Sequence, residues 1–397
     1  MEETRPLHGV RVLDLTRVLA GPFCTLQLAD LGAEVIKIEM PGRGDDSRSF
    51  GPFIGTESAY FLSLNRNKKS MTLNLKSPEG RDIMKQLVPH FDILVENFRP
   101  GTLEKLGLGY DVLSAVNPRL VYAAVSGFGA TGPDTQKPAY DIVVQGRGGL
   151  MSITGEEEGG PTRVGASIGD IAAGLFTAIA ILSALLVARN TGKGQKIDIS
   201  MLDTQVALLE NAIARYTVSG EVPQPLGNRH PSITPFSSFQ AHDGYVIIAA
   251  GNDRLWTRLC HVMGVPELTD DPRFVDNDSR TQNWSELKPL LEAVIQQKPV
   301  EYWLEHLERE NIPCGRIQRV DQVLQDPQIT ARDMIRNMVL KTGEQFTVAG
   351  IPYKFSSANC EKIVSPPILG EHTGEMLQTL LGLDKGQIER LAQKEVI

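Results

Sequence analysis

Cysteine is scarce and scattered. The 397 residues hold four, Cys24, Cys260, Cys314 and Cys360, and no two stand in C-x-x-C spacing. Neither a zinc site nor a disulfide framework is therefore expected, and isolated thiols fit a reducing cytoplasm. Basic charge is not in excess: 40 Lys and Arg stand against 48 Asp and Glu, a formal net charge of −8. Such a chain has no bulk attraction for nucleic acid or for an anionic membrane, so any phosphate-bearing ligand must be met by local cations. The first five residues, Met-Glu-Glu-Thr-Arg, lack the basic and apolar regions of a leader, and no signal peptide is expected. Internal repeats and low-complexity tracts are missing too. One uncharged run stands out, residues 171–188, which reaches the length of a membrane span. It stands alone and is rich in Ala, Gly, Ser and Thr, so it reads as a buried core helix.

What is present is a globular α/β chain. Hydrophobic residues make up 41% of it, which excludes disorder, and the length calls for about two domains. Short apolar runs at residues 10–16, 34–39, 70–75, 91–97, 120–126 and 195–199 read as buried strands. Between them lie helical stretches. One opens at Gly21-Pro22, one at Ser77-Pro78-Glu79 with cap, first-turn proline and acid in order, and one spans residues 103–116. Strands alternating with helices predict a doubly wound parallel sheet. A helical stretch over residues 203–216 follows. Residues 219–235 carry four prolines and two glycines and mark a domain boundary. Beyond them a hairpin (residues 236–241 and 245–250, turning at Asp243-Gly244) and several helices predict a smaller α+β unit. The tail, residues 352–397, ends in a helix.

Three segments look chemical. Gly127-Phe-Gly-Ala-Thr-Gly132 matches G-x-G-x-x-G after a strand, but Pro133 and Pro138 prevent a long helix from starting there to receive a pyrophosphate. Gly165-Ala-Ser-Ile-Gly169 matches the nucleophile elbow G-x-S-x-G around Ser167, but no buried strand precedes it. Asp170 stands at the head of the apolar helix. An aspartate there is most often only a cap. A helix N-terminus nonetheless offers positive potential and free N–H groups, which are expected to keep Asp170 ionised and to stabilise an oxyanion beside it. Gly165 and Gly169 would let an acyl group come close to the backbone.

A set of segments carries a resemblance. Leu13-Asp-Leu-Thr-Arg-Val-Leu-Ala-Gly-Pro22, Leu31-Gly-Ala-Glu-Val-Ile-Lys-Ile-Glu39, Asn65-Arg-Asn-Lys-Lys-Ser70, Val95-Glu-Asn-Phe-Arg-Pro-Gly101, residues 165–170 and Pro366-Pro-Ile-Leu-Gly-Glu-His-Thr373 together resemble the class III CoA-transferases. Gly44-Asp-Asp-Ser-Arg48 and Gly55-Thr-Glu-Ser58 bring the chain closest to members that act on succinyl-CoA and glutarate. The resemblance implies an α/β fold: a Rossmann-like large domain with a parallel sheet plus a smaller α+β domain, in an interlocked homodimer. The large domain would take residues 1–218 and 330–397, the small one residues 225–325.

The resemblance also implies roles. Asp170 would attack the donor thioester, and the reaction would pass through an aspartyl anhydride and an aspartyl-CoA thioester. A carboxylate can form both, so thioester energy is kept. Coenzyme A and its thioesters would be substrates, with no permanently bound cofactor and no metal. CoA contacts would fall on Arg17, Val18, Leu19, Ala20, Met40, Leu73, Lys76, Asn97, Phe98, Arg99 and Lys105, with Tyr140 and Asp141 beside Asp170. Arg48, or the loop Gly227, Asn228, Arg229 and His230, would meet the acceptor acid, with Arg17, Arg48 and Arg229 as candidate cations for its free carboxylate. Formyl-CoA transferase has a glutamine where this chain has Leu19, which argues against oxalate as acceptor. The same fold hosts α-methylacyl-CoA racemases, which place a histidine where this chain has Tyr140. Tyrosine, with a pKa of about 10, is a poor base at neutral pH. Racemase chemistry and a serine hydrolase using Ser167 are thus the alternatives to transfer.

Overall fold

The computed structural model describes residues 5–360 and 362–397, so the leader reading of the first residues falls largely outside it. The chain divides into two units. The larger holds residues up to 151, 163–220 and 328–397; the smaller holds 152–162 and 221–327. The small unit thus recruits residues 152–162, which the sequence reading had left in the large domain.

The large unit is built on six parallel strands: β1 (Arg11–Asp14), β2 (Glu34–Glu39), β3 (Lys68–Thr72), β4 (Ile93–Glu96), β5 (Val121–Ser126) and β6 (Lys196–Ser200). They lie in the order β3-β2-β1-β4-β5-β6. Alternate side chains feed two cores. Val12, Val35, Ile93, Val95 and Val121 join one; Leu13, Ile36, Leu94 and Tyr122 join the other. A parallel sheet must be covered on both faces, which is why the central strands β1, β4 and β5 read as apolar runs, whereas the edge strands β3 (KKSMT) and β6 (KIDIS) are mostly polar.

The first face is covered by α1 (Ala20–Asp30) and the long α4 (Ile168–Thr191). The second is covered by α2 (Pro78–Leu87), capped by Ser77, and by the C-terminal helix Thr373–Leu381. A short α3 (Asp141–Arg147) packs on α4. Helices α1 and α4 approach closely because Gly174 has no side chain: a Cβ there would lie 2.8 Å from the Ala20 carbonyl oxygen. Helix α4 is long and apolar enough to cross a membrane by length and composition, yet half of its most apolar window is packed inside the unit. Its other face leaves Leu175, Phe176, Ile179, Leu186 and Val187 exposed, so it is a half-buried helix rather than the fully buried one expected.

Two expected helices are broken. Residues 103–116 form Thr102–Lys105 and Tyr110–Val116, parted by Gly107 at φ 68°. Residues 203–216 form Met201–Leu208 and Ala212–Ser219, parted at Glu210, φ 53°. A second hairpin, Ile335–Val339 with Gln345–Ala349, was not foreseen.

The small unit carries the expected hairpin, β7 (Phe236–Ala241) and β8 (Gly244–Ala249), extended by β9 (Cys314–Arg316) into an antiparallel sheet. Helices Asp253–Met263, Trp284–Ile295 and Val300–Arg309 close its core around Trp256, Phe239 and Leu291.

Candidate active site

The strand order reverses its direction of growth between β1 and β4. Open α/β sheets bind ligands at such a switch point, beyond the carboxyl ends of the strands. The segments leaving those two ends are a strap, residues 15–19, and a loop, residues 97–100. Asn97 ties them together: its Oδ1 accepts from the Arg17 N–H at 2.8 Å, and its Nδ2 donates to the Arg17 carbonyl at 2.8 Å.

An open cavity of about 360 Å³ lies there, lined by Arg17, Val18, Leu19, Ala20, Asn97, Phe98, Arg99, Tyr140 and Asp170, and also by Ser126, Gly127, Lys137 and Met201. A second, of about 320 Å³, lies over the ends of β1, β2 and β3 and is lined by Met40, Arg43, Leu73 and Lys76. Both share Arg17, Asp46 and Phe98. Arg17 stacks over Phe98 at 5.2 Å and pairs with Asp46 at 3.2 Å. Nine of the residues singled out from the sequence thus meet around one cavity and three around its neighbour. The strand ends that supply Ser126 and Gly127 were visible in the sequence; Lys137 and Met201 had no such signal.

Asp170 departs from its expected setting in two ways. Ser167 is the N-cap of α4, and Asp170 is the third residue of the first turn. Its carboxyl is not held ionised. Burial and the charge of Asp141 push it up to about 7, against the opposing pull of the Ala20 backbone N–H at the head of α1. The donor that α4 could have offered is taken. Asp141 Oδ1 accepts the Gly169 N–H at 2.8 Å, while Oδ2 accepts from Gln145 at 2.8 Å and from Arg163 at 3.1 Å. Asp141 therefore acts on Asp170 by its charge and does not line the cavity. The space at Gly169 is also filled: a Cβ there would meet Val144 at 2.8 Å and Asp141 at 3.0 Å. Only Gly165 is open.

One residue was missed. Tyr60 feels the site: burial first, then the negative charges of Asp170, Asp45 and Asp141, push its hydroxyl up to about 12. Nothing in the local sequence around Tyr60 signals this, because the contact is made by the fold.

The strap itself is strained. Val18 sits at φ 66°, where a β-branched residue costs about 1–3 kcal/mol. Asp45 holds it there, accepting the Val18 N–H at 3.1 Å. Lys37 stands behind, 2.8 Å from Asp45 and donating to the Thr16 carbonyl at 2.7 Å, and both side chains are essentially inaccessible.

Other expected contacts fall elsewhere. Arg48 lines neither cavity. Its guanidinium is bidentate to Glu39 (2.7 and 2.8 Å), donates to the Pro367 carbonyl and lies 3.6 Å over the Phe61 ring. It is engaged inside the fold, which removes it as a free cation for a carboxylate. Lys105 is exposed and lines neither cavity. Gly227, Asn228, Arg229 and His230 lie in the small unit. There Arg229 donates to the Thr281 carbonyl at 3.0 Å over Trp284, Asn228 bonds Ser238, and His230 packs on Phe236. Ser167 follows no strand, so the elbow geometry is missing. The glycine-rich loop after β5 starts no helix; the next begins at Asp141. Among the described residues no group of three His, Cys, Asp or Glu is placed to hold a metal.

Comparison with known proteins gives a consistent result. The family model described as CoA-transferase family III matches residues 7–373. The chain is 42% identical to succinyl-CoA:glutarate CoA-transferase of Mus musculus, over all of this chain and 91% of that one. It is 46% identical to acetyl-CoA:oxalate CoA-transferase of Acetobacter aceti, over 88% of this chain and 89% of that one. The crystal structure of a CAIB/BAIF family protein from Brucella suis superposes with a TM-score of 0.84 at 39% identity, covering 94% of this chain and 99% of that one.

Proposed function

The chain belongs to CoA-transferase family III, and from that premise we propose that it moves coenzyme A from succinyl-CoA to a dicarboxylic acid such as glutarate, with Asp170 as the nucleophile. The family and the relatives named for succinyl-CoA support the reaction. The observation that carries the residue is the position of Asp170: a carboxyl on the wall of the switch-point cavity, with one backbone donor at hand and no cation paired to it among the described residues. A carboxylate left unpaired and made more basic is a better nucleophile.

In this reading the Asp170 carboxylate attacks the succinyl thioester carbonyl, and the C–S bond breaks to release CoA thiolate. The thiolate then attacks the aspartyl carbonyl of the anhydride, so succinate leaves and an aspartyl thioester remains. The acceptor carboxylate attacks that thioester and expels the thiolate, which finally takes the acyl group and returns Asp170. Either intermediate would be lost to water, so the cavity must close during turnover. The second cavity, with Met40, Leu73 and Lys76 at its wall, takes the nucleotide end of CoA. The first takes the thioester, against Val18, Leu19, Ala20, Asn97 and Phe98. Arg99 is its open cation for phosphate or for the acceptor's far carboxylate; Arg17 is paired with Asp46 and Lys137 with Asp134. No resident cofactor enters this scheme. A homodimer in the cytoplasm completes it, the exposed apolar face of α4 offering the contact surface.

Oxalate is kept as a second acceptor, because the Acetobacter relative is named for it although Leu19 argued against it. One incubation tests all of this. The protein is mixed in heavy water with succinyl-CoA and glutarate, oxalate, malate, itaconate or carnitine, and every CoA ester formed is weighed by mass spectrometry. A new ester free of deuterium is expected, and none with Asp170→Asn. Deuterium entering an α-methylacyl-CoA with no new ester would replace transfer by racemisation. Full transfer by Asp170→Asn would remove the nucleophile from the scheme.

A further inference from the structure

The segment Gly44-Asp-Asp-Ser-Arg48 is where an acceptor ligand was sought, and it lies against the strap instead. Asp45 accepts the N–H of Ser47 (2.9 Å), the hydroxyl of Ser47 (2.9 Å) and the N–H of Val18 (3.1 Å). Its own N–H donates to Glu39 at 2.9 Å, and Glu39 is clamped by Arg48 and by Ser70 at 2.7 Å. Lys37 joins the same group from β2, gripping both Asp45 and the Thr16 carbonyl. These groups are anchored on β2 and β3, which are rigid and covered on both faces. What they hold is a backbone turn that Val18 would not adopt unaided. Two residues later the chain enters α1 with Ala20, whose N–H is the donor facing Asp170.

We propose that Asp45, backed by Lys37, is a positioning residue for transfer: it locks the left-handed turn at Val18 and so fixes the Ala20 N–H against the Asp170 carboxyl. The inference rests on Asp170 being the nucleophile. Asp45 touches neither the reacting atoms nor the thioester. It acts through the strap, as a support that holds a reacting group to within fractions of an ångström. Val18, where the locked turn sits, lines the thioester cavity and not the nucleotide cavity, although Asp45 itself stands at the nucleotide cavity's wall. Losing the lock should therefore slow the chemical step far more than it weakens CoA binding.

The test is steady-state kinetics with succinyl-CoA and the best acceptor, alongside thermal unfolding. Asp45→Asn is expected to lower kcat about 100-fold and, since Asp45 also borders the nucleotide cavity, to raise KM for succinyl-CoA by a smaller factor, about tenfold at most. Adding Val18→Gly to that chain should recover at least tenfold of the lost kcat, because glycine takes φ 66° without a brace. A role confined to stability would not be rescued this way. Asp45→Asn takes from the buried Lys37 the carboxylate it pairs with at 2.8 Å, leaving only the charges of Asp14 and Glu39 acting on it among the described residues, and can prevent folding. Val18→Pro then asks the same question: proline cannot take a positive φ and has no N–H for Asp45, yet the buried pair stays intact. It too should lose about 100-fold in kcat with unfolding near the parent's. A kcat within threefold of the parent in either single variant, or a folded double variant with no recovery, overturns the proposal. Asp170→Asn separates the two readings: if it is inactive while Asp45→Asn is normal, only the positioning role fails.

Discussion

Asp45 and Asp170 are two crowded carboxyls that meet one stretch of backbone, at Val18 and at Ala20, and their electrostatics point in opposite directions. For Asp45, burial works to raise the pKa, but Lys37 and the donors from Ser47 and Val18 outweigh it and hold the group well below the usual carboxylate range. For Asp170, burial works the same way, and the charge nearby is Asp141, of the same sign. The environment therefore decides the role. The first carboxylate is a fixed ionic anchor. The second is kept short of partners and eager for a bond. A pair of groups driven apart in this way is what a site needs when one must hold shape and the other must react.

The largest effect expected from breaking this contrast is on Asp170 itself. Asp170→Asn keeps the shape and the first-turn position but cannot attack. Transfer should fall by at least about 10³-fold, read as new CoA ester per minute. In the proposed scheme the loss should exceed that from any substitution at Asp45, because one group would react and the other would only position.

How much of this was legible from residues alone follows from what each feature depends on. The central strands were readable because a sheet covered on both faces demands apolar runs there; the edge strands β3 and β6 carry polar residues and were readable by their place in the strand–helix alternation. The strap and the residue 97–100 loop were readable as family motifs at strand ends. The partition of charge was not. Lys37 and Asp45 are eight residues apart in sequence, and nothing local shows that they meet at 2.8 Å. Arg48 looked like a free cation because its partner, Glu39, is supplied by a strand end and its stacking ring, Phe61, by a later helix. Asp170 was expected to be ionised because a helix start was considered alone; Asp141, from another helix, takes the Gly169 N–H and adds its own charge. Long-range pairing, not local pattern, sets each of these.

The next effect is a pH profile. As the proposed nucleophile, Asp170 must be ionised to attack, and its pKa is raised to about 7. kcat/KM for succinyl-CoA should therefore be flat above about pH 8 and fall about tenfold per unit below about pH 6. A flat profile down to pH 5 would show that the attacking group is not a carboxyl so perturbed. Asp141→Asn sharpens the assignment. The amide oxygen can still accept the Gly169 N–H, but the like charge is gone, so the acid limb should move down by about one pH unit. The other charged group on Asp141 is Arg163, 3.1 Å away; Arg163→Gln should move the limb the opposite way or not at all.

The smallest effect is on stability, and it carries the comparison in its sign. A carboxyl whose folded pKa is raised favours the unfolded state once it ionises. Its destabilising contribution is absent below the unfolded pKa of 3.8, grows as pH rises toward 7, and is constant above that. Asp170→Asn should therefore raise Tm at pH 8 and leave it nearly unchanged at pH 4. About 4 kcal/mol is the ceiling, since three units correspond to that much, and water reaching the open cavity will reduce it. Asp45 is the reverse case. Its folded pKa is lowered, so its stabilising contribution is present above the unfolded pKa and is lost as pH falls below it; Asp45→Asn should lower Tm at pH 8. Melting curves of the two variants at pH 4 and pH 8 give four shifts against the parent. If both variants move Tm in the same direction at pH 8, the two carboxyls share one electrostatic environment, and the division between anchor and nucleophile does not hold.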